Sequence, residues 1–215
     1  ASRRWSGWSP SCRAPRSAVG LLDALTGRHQ VKGPAPDKLF AIATAYITLQ
    51  SEHQIDPAGA AAIVFQKLEN SEFEATMREM EEVVTATGGE SGTQVKSKDD
   101  EYGYRWMVLH NPDGAPSVED LAVGINAVSS SIEMGGHGER LLCAVFAFRD
   151  AQKRKLYFIY NYKRGFWYPF VPDPDPARPQ ERSVERELQL KAQMSNELPM
   201  EPELERWFPL WGIPI

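Results

Sequence analysis

Six residues in this sequence have the chemistry of transition-metal ligands. They are Cys12, His29, His53, His110, His137 and Cys143. Zinc sites need such residues in closely spaced pairs, like the two cysteines of C-x₂₋₄-C or the two histidines of H-x₃₋₅-H. None of the six forms a pair of that kind, and Cys143 lies inside the apolar run LLCAVFAF, which favours a buried thiol. We therefore predict no metal site and no cofactor.

The loop around His137 is the remaining candidate for catalysis. It reads GGHG between a predicted helix and a predicted strand, and the acidic run Asp99-Asp100-Glu101 lies in a predicted turn. If the fold brings the His137 loop and this acidic turn together in one polar pocket, the protein could be a small hydrolase or ligand-binding enzyme. However, no nucleophile motif accompanies His137, and three consecutive carboxylates on a hairpin point in different directions. We predict no catalytic residue and keep this enzyme as the alternative.

The stretch KRGFWYPF resembles the aromatic base-stacking strand of an RNA-recognition motif. Trp167 stands where that motif needs a small residue. The chain carries a net charge of −5, and removing the four arginines of the acid-free residues 1–17 leaves −9 on the remainder. Because this remainder is strongly acidic, it would repel the phosphates of a nucleic acid. We therefore predict no nucleic-acid partner. We interpret the rings instead as sheet packing, with Phe166, Tyr168 and Phe170 on the core face and Trp167 on the opposite face.

Composition predicts one globular domain with extensions. The 215 residues are 42% hydrophobic and 25% charged, and no apolar run reaches the roughly 20 residues of a spanning helix. Residues 1–18 are predicted to be an extraneous or disordered N-terminal segment, and residues 19–34 a short amphipathic helix and linker. Residues 35–172 are predicted to form the α+β domain, and residues 173–215 a linker, a charged helix and an aromatic tail. The two unpaired cysteines favour a reducing, cytoplasmic location.

Hydrophobic periodicity predicts alternating strands and helices within residues 35–172. Helices are expected over 39–50, 71–88 and 117–134, and strands over 61–66, 92–98, 104–109, 141–148, 156–162 and 166–171. Capping pairs Ser71 with Glu74 and Ser117 with Asp120 open the last two helices. From the first strand the order is strand, helix, strand, strand, helix, strand, followed by two extra strands. This order predicts an antiparallel sheet with helices on one face, in the split βαβ arrangement of a ferredoxin-like domain.

Two segments outside the helices carry side chains suited to binding a protein. Trp207, Phe208 and Trp211 near the chain end could dock in a partner's groove, or the tail could fold back onto its own sheet. Lys163 and Arg164 form a basic hairpin tip that could meet an acidic partner or anionic lipid, or be an ordinary solvated turn.

The charged helix over 180–195 offers a narrow apolar stripe of Val184, Leu188 and the Lys191 stem, which predicts a helix on the surface.

Four stretches together resemble one bacterial family. They are LFAIATAYITLQ (39–50), LLCAVFAFRD (141–150), YNYKRGFWYPFVP (160–172) and LPMEPELERWFPLWGIP (198–214). This pattern is similar to PspAB, the phage-shock-protein-A-associated family, over Val19 to Ile215, and the opening GLLDALTGR looks like that family's start.

The resemblance implies an accessory protein of the phage-shock envelope-stress response and brings no catalytic residues with it. Its implied partners are phage-shock protein A and the membrane metallopeptidase HtpX. From the residues, we predict a non-enzymatic adaptor whose partner-binding residues are Trp207, Phe208, Trp211, Lys163 and Arg164. Peripheral contact with the inner membrane face and homodimerisation remain open alternatives.

Overall fold

The computed structural model describes residues 36–88, 93–111, 117–175, 177–178 and 180–215. The expectations for residues 1–18 and for the short helix and linker of residues 19–34 lie outside these ranges. Within them, no helix has both the length and the apolar character that crossing a membrane requires.

Six strands form one antiparallel sheet. They are β1 (Asp56–Gln66), β2 (Gln94–Asp99), β3 (Tyr104–His110), β4 (Leu141–Arg149), β5 (Lys155–Asn161) and β6 (Phe166–Phe170). Their order across the sheet is β2-β3-β1-β4-β5-β6. β1 lies near the middle because it pairs antiparallel with both β3 and β4. The predicted α+β class with an antiparallel sheet is confirmed.

The helices are α1 (Pro36–Phe40), α2 (Ile42–His53), α3 (Ser71–Gly88), α4 (Val118–Met134) and α5 (Val184–Met194). At α4 the predicted cap is confirmed, because Ser117 Oγ accepts a hydrogen bond from the Asp120 amide at 3.0 Å. At α3 the predicted cap is wrong by one residue. Asn70, rather than Ser71, accepts the Phe73 amide hydrogen at 2.6 Å through its side-chain oxygen. Both residue types cap helices well, and the sequence places them side by side.

One face of the sheet packs against the five helices of the described residues. The shared core includes Leu49, Phe73, Ile125 and Leu190 from the helices, together with Phe65, Phe146, Phe158 and Trp167 from the strands. Every one of these side chains is almost completely buried. The largest apolar core of the protein therefore lies between the helices and this sheet face.

The opposite face of the sheet is covered at its β4 to β6 side by the end of the chain. Val145, Ile159, Tyr168 and Phe170 from the strands pack there with Trp207, Leu210, Trp211, Ile213 and Ile215. The prediction that Tyr168 and Phe170 lie on the core face and Trp167 on the opposite face is therefore wrong, because the two sets are exchanged. Trp167 lies in the helix-facing core, whereas Tyr168 and Phe170 lie beneath the C-terminal segment.

The outer edge of β6 is closed by the same C-terminal region. The Trp167 amide donates to the Pro199 carbonyl at 2.9 Å, and the Trp167 carbonyl accepts from the Glu201 amide at 2.7 Å. Pro169 fits this strand because proline is tolerated at a sheet edge, where one side of the strand has no neighbouring strand to donate to.

The amphipathic face of α5 also differs from the prediction. Its buried side chains are Glu187, Leu190 and Met194, whereas Val184 and Leu188 are exposed. The apolar stripe seen in the sequence is thus not the side by which the helix packs. Its two apolar residues, Val184 and Leu188, are exposed to solvent instead.

Candidate functional site

Two of the predicted partner-binding aromatics pack on the protein's own sheet. Trp207 is buried, stacks on the Tyr168 ring with centroids 6.3 Å apart, and donates its indole hydrogen to the Glu201 carbonyl at 3.2 Å. Trp211 is half-buried and meets the Phe170 ring edge-on at 5.1 Å. These contacts hold the segment from residue 207 to residue 211 against the sheet.

Phe208, between those two tryptophans, is exposed. Its side chain keeps 57% of its accessible surface, although its carbonyl accepts a hydrogen bond from the Tyr168 hydroxyl at 3.1 Å. The backbone is therefore anchored to the sheet while the ring projects into solvent. Of the three predicted tail aromatics, Phe208 is the one whose side chain is exposed.

The tail and α5 are tied together where their apolar side chains are exposed. Arg182, just before α5, donates to the Trp207 carbonyl at 2.6 Å. Lys191 donates to the Pro202 carbonyl at 3.1 Å, and its ammonium lies 5.5 Å from the centre of the Trp207 ring. Exposed Val184 and Leu188 share the helix face of Lys191, because they precede it by two turns and one turn. We call Val184, Leu188, Leu204 and Phe208 the tail–helix surface.

A buried carboxylate holds α5 beneath this surface. Glu187 is fully buried, and its Oε1 accepts the Val171 amide hydrogen at 2.9 Å. Its Oε2 lies 3.4 Å from Arg182 Nε, and no hydrogen bond to Oε2 is found within the described residues. Burial raises the pKa of the Glu187 carboxyl, while the Val171 amide and Arg182 act in the opposite direction. A glutamate on a charged helix gives no sign of this role in the sequence.

The two basic residues of the hairpin tip differ in their surroundings. Lys163 is exposed, whereas Arg164 is half-buried and binds the buried Glu201 carboxylate through Nε at 2.5 Å and Nη2 at 3.0 Å. Its Nη2 also lies 3.0 Å from Glu203. Arg164 therefore joins the β5–β6 hairpin to the segment that leads into the tail, which leaves Lys163 as the solvated charge at the tip.

This difference predicts different effects of alanine substitution. Arg164→Ala should lower the midpoint of urea denaturation clearly, because it leaves the Glu201 carboxylate buried without its cation. Lys163→Ala is the matched control and should stay within about 0.5 kcal/mol of the wild type. Circular dichroism during urea titration measures both. Equal midpoints for the two variants would show that the Arg164–Glu201 contact is not structural.

The two parts of the enzyme alternative do not line a common cavity in the described structure. Asp99 lines a cavity of about 430 Å³ and is ion-paired to Arg105 at 2.6 Å and Lys67 at 2.9 Å. These cations hold the pKa of Asp99 well below its usual range. His137 does not line that cavity, and its ring meets Phe73 edge-on at 5.2 Å. Across the described residues, no three His, Cys, Asp or Glu side chains are grouped to hold a metal ion.

The acidic turn has a structural role at its middle residue. Asp100 Oδ1 accepts the amide hydrogens of Tyr102 and Tyr104, each at 2.9 Å, and its Oδ2 accepts the Trp106 indole hydrogen at 3.0 Å. A carboxylate that caps its own turn in this way shapes the β2–β3 hairpin. Its place in the turn is thus explained without a catalytic role.

Comparison with known proteins identifies the family. A family model described as PspA associated protein B (PspAB) matches residues 19–215. No curated protein and no solved structure matches the chain. The match covers the sheet, the helices and the C-terminal segment, including the four stretches that carried the resemblance. Since it spans nearly the whole sequence, this protein belongs to the PspAB family.

Proposed function

We propose that this protein is a non-enzymatic accessory protein of the phage-shock envelope-stress response, and that it binds phage-shock protein A through the tail–helix surface. The family description, PspA associated protein B, supports the choice of partner. The observation that carries the choice of surface is Phe208, a large aromatic side chain held 57% exposed on an anchored backbone.

The surrounding residues support this assignment. Val184, Leu188 and Leu204 are each at least 40% exposed, so the surface offers four apolar side chains on two tied segments. Aromatic anchors surrounded by lesser apolar contacts are typical of protein-binding hot spots. The contacts of Trp207 and Arg182 order this surface before a partner arrives, which lowers the entropy cost of binding. Trp207 is therefore a positioning residue in this proposal.

The experiment is a binding measurement between the purified chain and phage-shock protein A of the same organism. We expect the double variant Phe208→Ala/Leu188→Ala to bind at least about tenfold more weakly, because each truncation removes about 1 kcal/mol or more at a hot spot. Val83→Ala/Met134→Ala is the matched control. It also removes two exposed apolar side chains, but from α3 and α4. Its affinity should equal that of the wild type.

The possible outcomes test the proposed partner and the proposed binding surface independently. If the wild type does not bind phage-shock protein A, the proposed partner is wrong. If the wild type binds and both double variants bind equally well, the partner stands and the tail–helix surface is wrong. Circular dichroism of each variant confirms that it is folded before binding is compared.

The remaining predictions about partners and location belong to the same proposal. HtpX is a second proposed partner and is tested by the same measurement with the peptidase in detergent. Light scattering of the free chain tests homodimerisation. We place the protein in the cytoplasm with peripheral contact at the inner membrane face, and fractionation of cells with and without phage-shock protein A tests both parts of that placement.

A further inference from the structure

A cavity of about 330 Å³ opens on the sheet face opposite the helices, beside the end of the chain. Its floor contains small side chains of the central strands, Ala58, Ala60 and Ala147, and one side is closed by Pro214 and Ile215. Short side chains on strands that carry larger residues elsewhere leave a depression. Ligand pockets of proteins begin at about this volume.

The rim of this cavity is basic. Lys96, His110, Arg149 and Lys155 come from four different strands, β2, β3, β4 and β5, and line it together. The pairing register places them there, because His110 lies opposite Ala60 and Arg149 lies opposite Lys155. No aspartate or glutamate is among the lining residues. This is unusual on a chain whose residues 18–215 carry a net charge of −9.

Two of these four basic side chains make polar contacts with the fold, and two make none within the described residues. The Lys155 ammonium donates to the main-chain oxygen of Ile215, the last residue of the sequence, at 3.0 Å, and the Tyr157 hydroxyl also contacts this oxygen at 3.1 Å. Within the described residues, the Arg149 side chain makes one hydrogen bond, from Nη1 to the Lys153 carbonyl at 3.4 Å. For Lys96 and His110, the described part of the chain provides no ion pair and no side-chain hydrogen bond. Several donors at the rim therefore remain for a ligand.

We propose that this cavity binds a small organic oxyanion, a phosphate monoester or a carboxylate, whose apolar part lies on the alanine floor. Arginine and lysine recognise oxyanions through charge-assisted hydrogen bonds, and a guanidinium matches two oxygens at once. Like charges that converge around one depression repel each other, and a bound anion relieves that repulsion. The floor selects the organic part, because Ala58, Ala60, Ala147 and Val108 would otherwise face water in a concave site.

The probes are phenyl phosphate, benzoate and inorganic phosphate, titrated into the full chain by calorimetry at low salt. We expect saturable binding of phenyl phosphate or benzoate, weakened by added salt. Inorganic phosphate should bind at least about tenfold more weakly, because it leaves the apolar floor unfilled. A preference between the two aromatic probes distinguishes a phosphate ester from a carboxylate as the natural ligand. Shifts of the Ala60 and Ala147 amide signals in nuclear magnetic resonance place the ligand on the floor.

Variants test the rim. Arg149→Gln and Lys96→Gln should each weaken binding about tenfold or more, because each removes a charge-assisted hydrogen bond. Lys98→Gln is the matched control, since Lys98 lies two residues along the same strand but outside the cavity lining. The proposal is overturned if neither aromatic probe saturates at millimolar concentration. It is also overturned if Arg149→Gln binds like the wild type, or if Lys98→Gln loses as much affinity as Lys96→Gln.

Discussion

Trp167→Ala should lower the free energy of unfolding by about 3–5 kcal/mol, the usual cost of truncating a fully buried aromatic side chain. Trp167 has no exposed surface and lies between the Phe146 ring at 5.7 Å and the Tyr160 ring at 5.1 Å. Its indole hydrogen is donated to the Lys38 carbonyl at 2.7 Å, which ties α1 to the edge strand β6. Alanine would leave a cavity and an unpaired carbonyl in the same place.

Two further variants separate the packing from the hydrogen bond. Trp167→Phe keeps most of the ring contacts and loses the bond to Lys38, so its cost should be about 1–3 kcal/mol. Phe208→Ala removes an exposed aromatic and should stay within about 0.5 kcal/mol of the wild type. Urea denaturation followed by circular dichroism measures all three. A Trp167→Ala variant within 1 kcal/mol of the wild type would contradict this account of the core.

The position of Trp167 shows what sequence periodicity determined and what it could not. Alternation along β6 correctly separated Trp167 from Tyr168 and Phe170. It could not say which set faces the helices, because the C-terminal segment covers the other face and both sets are buried. A strand buried on both sides carries no polar face to mark its orientation. The C-terminal segment buries the second face of β6, and the sequence left open whether this segment folds back onto the sheet or docks in a partner.

The helix α5 failed to follow its apolar pattern for a related reason. Periodicity counts apolar residues, and Val184 and Leu188 formed the visible stripe. The fold instead buries Glu187 with Leu190 and Met194, because the Glu187 carboxylate satisfies the Val171 amide at the edge of the sheet. A polar residue that pairs with backbone across 16 residues leaves no local signal. Because the helix packs by its Glu187 face, Val184 and Leu188 are left exposed.

The candidate sites were predictable in part. Phe208 belongs to a tail whose aromatic composition was visible in the sequence, and the basic hairpin tip was equally visible. The basic cavity was not, because Lys96, His110, Arg149 and Lys155 are spread over 60 residues and meet only through the strand register. The spacing of residues along the sequence reveals sites that lie on one helix or one loop. It does not reveal sites assembled from four strands.

Glu187→Ala should lower the free energy of unfolding by about 3 kcal/mol, because it deprives the buried Val171 amide of its acceptor and leaves Arg182 without its carboxylate. Glu187→Gln should differ from the wild type by only about 1 kcal/mol at pH 7. Its amide oxygen still accepts from Val171, and it no longer carries a buried charge. If both variants lose equal stability, the hydrogen bond to Val171 is not what makes Glu187 important.

The pH dependence of the same pair tests the buried charge itself. Burial raises the pKa of the Glu187 carboxyl in the folded chain, so the folded state binds a proton that the unfolded chain, with a pKa of about 4.3, does not yet hold. Stability of the wild type should therefore increase relative to Glu187→Gln as the pH falls from 7 through the folded pKa, and level off near the unfolded pKa. The difference in free energy of unfolding, measured by urea denaturation from pH 7 to pH 4.5, reports this directly. A difference that moves in the opposite direction would mean that Arg182 and the Val171 amide stabilise the ionised carboxylate by more than burial opposes it.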